Sequence, residues 1–187
     1  MPSAASPSDL WPQSGPVVAA VRFDECGRHC LRQALRLAAH RGQPAIALHI
    51  LHETSRTMGF YRHHDDGDVL RPSLDVAKEL LAGFAAEAVA DEPDAAGVAL
   101  RQLVVPGVPE RRIVEVARRI ESALIIIIGG RRKTGLDRLL GRDVTGAVLR
   151  QAPCPVQVLD AAGNALDPHD LRPIGPSQPL PPAVEST

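Results

Sequence analysis

The chain has 187 residues, 44% of them hydrophobic, which suits one domain with a sizeable core. Its 21 Lys and Arg against 22 Asp and Glu leave a net charge of −1, so the overall balance argues for neither a nucleic acid nor a membrane surface as partner. No apolar run approaches the ~20 residues of a membrane span. The opening stretch MPSAASPSDLWPQSGP has no basic region and no apolar region of the kind that makes a secretory signal. Cys26, Cys30 and Cys154 fit reduced thiols better than a disulfide framework, and a cytoplasmic location is expected. Cys26 and Cys30 are four apart, and two small apolar residues on one helix face are expected there.

Residues 1–15, rich in Pro and Ser, are expected to form a disordered tail. Pro16–Arg22 (PVVAAVR) is a short apolar run with no polar face, as for a strand covered on both sides. Asp24 is placed to cap a helix over Glu25–Arg41, whose Leu31, Ala34, Leu35 and Ala38 share a face, with Gly42 at its end. Ala45–Leu51 (AIALHIL) reads as a second buried strand, in which His49 is expected to be a satisfied core histidine. A polar loop over His52–Pro72 leads to a helix over Leu74–Ala90, with Val76, Leu80, Leu81, Phe84 and Ala88 as its stripe. Val98–Val105 alternates more, as for a strand near a sheet edge. Pro109 opens a helix with Ile113, Val116, Ala117 and Ile120 as its inner face. Leu124–Ile128 is the most hydrophobic strand and is expected to be central. Asp143–Arg150 and Pro155–Leu159 read as the last helix and strand, and residues 161–187 as a Pro-rich disordered tail.

Strands and helices alternating in this way predict a doubly wound α/β domain over residues 16–160, with a parallel sheet covered by helices on both faces. Ligands of such sheets bind beyond the carboxyl ends of the strands, where the strand order reverses. The loops to inspect are therefore Arg22–Asp24 and Gly129–Arg142. The stretch YRHHDDGDV carries His63, His64, Asp65, Asp66 and Asp68, a set that reads as a solvated loop more readily than as a metal site. No nucleophile elbow, Walker loop or zinc motif is present, so neither a catalytic set nor a metal site is assigned.

Three stretches carry a resemblance: VAAVRFDECGRHCLRQALRLA with AIALHIL after it, VVPGVPERRIVEVA, and IIIIGGRRKTGLDRLLGRDVTGAVLRQAPCPVQVL. Together they resemble the universal stress protein (UspA-like) superfamily, and LRQAPCPVQV is similar to that family's closing signature. The resemblance implies an open five-stranded parallel sheet of order 3-2-1-4-5, of the adenine-nucleotide alpha-hydrolase-like type. It implies homodimers through the last strand, here Val156, Val158 and Leu159. In the members that bind ATP, it implies an acidic residue ending strand one. It also implies a loop G-x2-G-x9-G, followed by Ser or Thr, after strand four. Glycines serve there because backbone N–H groups must approach phosphates without a Cβ between them.

Aligned without gaps, the chain keeps Gly129 and matches at Ile50, Val144 and Thr145. The second glycine becomes Arg132, the third Arg142, the hydroxyl residue Asp143, and the strand-one acid Arg22. A one-residue gap returns Gly141 to the third glycine but leaves Arg142 at the hydroxyl position. Asp143 would cap the last helix and pair with Arg22 or Arg132. A carboxylate there would also repel a triphosphate. The expected protein is thus a dimeric, non-enzymatic regulator in which ATP or AMP binds weakly or not at all. It would act through unidentified protein partners, with no nucleic acid and no membrane. The alternative is an adenine-nucleotide sensor that grips phosphate with Arg22, Arg131, Arg132 and Arg142 side chains. A slow nucleotide hydrolase would need Asp143 or Asp24 as base, and nothing else in the chain supports it.

Overall fold

The computed structural model describes residues 14–52, 60–62, 70–129 and 144–166. In chain order the elements are β1 (Val17–Ala20), α1 (Glu25–Arg41), β2 (Ala45–Leu51), β3 (Phe60–Arg62), β4 (Leu70–Pro72) and α2 (Ser73–Ala90). They continue as β5 (Leu100–Pro106), α3 (Pro109–Arg119), β6 (Leu124–Ile128), α4 (Val144–Gln151) and β7 (Val156–Leu159). A short 3-10 turn, Pro93–Ala95, follows α2.

Five strands form a parallel sheet in the order β5-β2-β1-β6-β7, which is the expected 3-2-1-4-5 counted along its own strands. β5 is an edge, as its alternation predicts. β6 lies between β1 and β7, whereas the centre belongs to β1. The hydrophobicity of β6 reports cover on both faces rather than the strand's rank across the sheet.

The pleat sorts the core into two layers. Val17, Ala19, Val21, Ala45, Ala47, Leu124, Ile126 and Leu159 meet α1 and α2 on one face. Val18, Ile46, Leu48, Ile125, Ile127 and Val158 meet α3 and α4 on the other. Each large side chain buried there contributes about 1.5–3 kcal/mol. α1 turns in Leu31, Ala34, Leu35 and Ala38 as expected, together with Cys30. On α2 the expected stripe needs one correction. Leu80 is 53% exposed, while Ala77, Leu81, Ala85 and Ala88 face the sheet. Positions 77, 81, 85 and 88 step by three or four and keep to one face, and Leu80 lies to the outward side of that stripe. On α3, Val114 is buried, and Val116 and Ile120 are only partly covered.

Two further corrections concern segments read as unstructured. Within the expected 52–72 loop, β3 and β4 pair as an antiparallel ribbon, Phe60 opposite Pro72. At the other end, the chain does not leave the domain at residue 160. Asp160 N–H donates to Asn164 O, and Leu166 N–H donates to Val158 O, each at 2.8 Å. Ala165 thereby forms an antiparallel bridge with Leu159. The remainder of the Pro-rich segment, like residues 1–13, lies outside the described residues. No described helix is long and apolar enough to cross a membrane.

Candidate functional site

The strand order reverses between β1 and β6, so the crevice to examine lies beyond their carboxyl ends. β1 pairs Ala20 with Leu48, and Ala19 with Ile126. Continuing those registers past the strand ends brings Ile50, Arg22 and Gly129 abreast, with Arg22 in the middle. Ile50 is half-buried against the layer under α3 and α4. These are three of the positions at which the sequence was aligned with the family pattern.

The turn after β1 is built around Asp24. Its backbone is extended, and its Oδ1 accepts the Gly27 N–H at 2.9 Å, which caps α1. A Cβ on Gly27 would lie 2.0 Å from the Arg22 carbonyl oxygen, so the first turn of α1 can press onto the strand end only with glycine there. Asp24 Oδ2 accepts from Arg22 Nη2. Burial works against ionisation of Asp24, but the Gly27 amide and the Arg22 guanidinium hold its carboxyl below the ordinary 3.8. The Arg22 side chain is 70% exposed. Among the described residues, the carboxylate it meets is its own helix cap.

Behind this turn sits an aromatic group that the sequence did not announce. His49 Nδ1 lies 3.0 Å from the Val21 carbonyl, which makes Nδ1 the protonated nitrogen. The Phe23 ring stacks on His49 with centroids 4.1 Å apart, and Phe84 meets Phe23 edge-on at 5.9 Å. Arg28 lies over Phe84 and pairs with Glu87 at 2.7 Å. Burial pushes the His49 pKa below 6.5, and the Val21 carbonyl only partly offsets this. His49 is the satisfied histidine expected, but it is tied to the candidate crevice through Phe23.

On the β6 side, Gly129 N–H donates to Leu159 O at 2.7 Å. A Cβ at Gly129 would lie 2.8 Å from Val158 Cγ1 and 3.1 Å from Leu166 Cδ1. The absence of a side chain there serves packing against β7 and the returning hairpin. Thr145, 8% exposed at the start of α4, donates its hydroxyl to the Ile128 carbonyl at 2.7 Å. Val144 packs beside it on the same layer. Arg131, Arg132, Arg142 and Asp143 lie outside the described residues, as do His63, His64, Asp65, Asp66 and Asp68. Among the described residues no cluster of His, Cys, Asp and Glu has a metal-ligand arrangement.

The described groups do not make a backbone cradle for phosphate. The Gly129 N–H and the Thr145 hydroxyl are bonded within the fold, and the side chain at the row's centre is a base that faces its own cap.

A second charge set, around the buried Glu92, lies away from the crevice. Glu92 receives Arg36 through two hydrogen bonds of 2.6 and 2.7 Å, and Arg32 at 2.7 Å. These bonds, Arg36 first, hold Glu92 below its ordinary 4.5. The partners are 56 and 60 residues away in sequence, so no local pattern signals the set.

Comparison with known proteins gives concordant results. The model of the universal stress protein family matches residues 14–160. Universal stress protein MJ0531 of Methanocaldococcus jannaschii is 40% identical over 63 residues, which are 34% of this chain and 36% of that protein. The match thus spans about a third of that relative's length. Among solved structures, a universal stress protein in complex with cAMP superposes with a TM-score of 0.58 at 19% identity, over 79% of this chain and 99% of the other. The universal stress protein of Archaeoglobus fulgidus in complex with dAMP gives 0.54 at 24%, over 79% and 98%. Both likenesses are of fold.

Proposed function

The chain belongs to the universal stress protein family, and from that premise we propose that it is a non-enzymatic regulatory member whose nucleotide crevice has lost its binding groups. It acts through contacts with other proteins, and ATP or AMP binds weakly or not at all. One observation carries this reading: Arg22 stands at the centre of the crevice row, where the family resemblance implies an acid in nucleotide-binding members, and it is engaged with Asp24. The bonded Gly129 amide and Thr145 hydroxyl support it. Hydrolysis would need a free base near the phosphates, and Asp24 has both carboxylate oxygens engaged.

The second reading is an adenine-nucleotide sensor that uses arginine side chains. The cAMP and dAMP complexes of the solved relatives favour it, and so does the exposure of Arg22, which leaves the guanidinium able to swing to an anion. Equilibrium dialysis against ATP with magnesium, AMP and cAMP separates the two. Absence of binding up to millimolar nucleotide is expected, and micromolar affinity for any of them overturns the first reading. Mass spectrometry of small molecules released from the purified protein provides an independent check, with no stoichiometric adenine nucleotide expected.

A further inference from the structure

β7 is an edge of the sheet, and an uncovered edge offers its outward N–H and C=O groups to another chain. The family resemblance implied pairing of two copies there, through Val156, Val158 and Leu159. Two of these residues have a neighbouring segment of their own chain beside them. Val158 and Leu159 are 1% and 0% exposed, because their side chains point into the two core layers of their own subunit. Their outward edge is met by the same chain coming back.

The returning hairpin is closely built. Asp160 Oδ1 accepts the Ala162 and Asn164 amides, each at 2.9 Å, and Oδ2 accepts Asn164 Nδ2 at 3.1 Å. Gly163 closes the turn at φ 86°, a left-handed conformation that favours glycine. A Cβ on Gly163 would lie 2.8 Å from His29 Cγ on α1. Leu166 packs with Val158 over Gly129. The hairpin is therefore anchored at its tip on α1 and at its end on β6 and β7, and its backbone takes the Val158 carbonyl.

We infer that residues 160–166 are a built-in edge cap, which keeps a second copy of this chain from extending the sheet along Val158 and Leu159. With that half covered, β7 offers only Val156 and Gln157, far short of the ~5–6 residues of an ordinary paired strand. The opposite edge is blunted by other means. β5 exposes Arg101 and Gln102 and ends in Pro106, which has no N–H to donate. Antiparallel pairing of β7 with its twin requires the hairpin to leave first.

Light scattering on size-fractionated protein tests this in the full chain and in a chain ending at Asp160. The shortened chain is expected to double in mass with rising concentration, while the full chain does not. If the shortened chain fails to fold, full-length Leu166→Pro, which lacks the donor N–H, should show the same doubling. Equal mass behaviour in capped and uncapped forms, whether monomeric or dimeric, overturns the inference. Hydrogen exchange on the full chain gives a second reading. The Leu166 amide is expected to be protected independently of concentration, and exchange at the rate of a free peptide also overturns the cap.

Discussion

Arg22 reaches the carboxylate of Asp24, two residues further along, and the two close the turn between β1 and α1. The pair joins a base at the centre of the crevice row to the residue that caps α1. Its halves are unequal in stability. Asp24 holds the Gly27 amide in the first turn of the helix, whereas Arg22 adds an exposed ion pair. Asp24→Ala is expected to cost about 1 kcal/mol. Arg22→Ala should stay within about 0.5 kcal/mol. Urea denaturation of both variants measures the difference, and equal losses would show that the ion pair, not the cap, carries the turn.

Thr145 offers a sharper separation of structure from ligand. Its hydroxyl holds the start of α4 to the end of β6 through the Ile128 carbonyl. Thr145→Val is isosteric and should lower stability by about 1–2 kcal/mol, because the part-buried Ile128 carbonyl loses its donor. Nucleotide titrations should not change. A measurable affinity in the parent that disappears in this variant would place the hydroxyl on a phosphate instead.

Acid should weaken the fold in two windows that separate by residue. His49 in the fold has a pKa below the 6.5 of the unfolded chain. Its contribution is full above pH 6.5 and declines as the pH falls from there through the folded value. Glu92 is likewise held below 4.5, so its contribution is full above that pH and is lost as the pH drops through its folded value. His49→Gln should flatten the first window and leave the second. Glu92→Gln should flatten the second and cost about 1–3 kcal/mol at neutral pH, through weaker bonds to Arg32 and Arg36. Thermal unfolding across pH 3–8 (roughly the span of both windows) reads both.

Thiol reactivity should divide the cysteines by burial. Desolvation pushes Cys30 up to about 12 and Cys154 up to about 11, which leaves little thiolate at pH 8. Both are expected to resist iodoacetamide in the folded chain and to react in denaturant. Peptide mass mapping checks this, and rapid native labelling at Cys30 would contradict its placement on the inner face of α1.

What could be read from residues alone follows the reach of each signal. The strand runs, the helical stripes and the Asp24 cap depend on neighbours within a few positions, and these were legible. Leu80 was misassigned because a double leucine satisfies two helical phases equally well. The β3–β4 ribbon was missed because three-residue strands carry too little alternation to register. The 160–166 hairpin was missed because the prolines further along dominate that segment's composition, although Asp160, Gly163 and Asn164 are turn residues.

By itself, the sequence determined that this is a parallel α/β domain covered on both faces, because apolar periodicity obeys local geometry. It also set a base, Arg22, just past the end of the first strand. Tertiary structure alone decided what that base touches, that Gly129 and Thr145 serve the fold's own bonds, and that the chain returns along the end of β7. Those outcomes depend on which atoms meet across tens of residues, and such meetings are chosen by packing of the whole domain rather than by any local pattern.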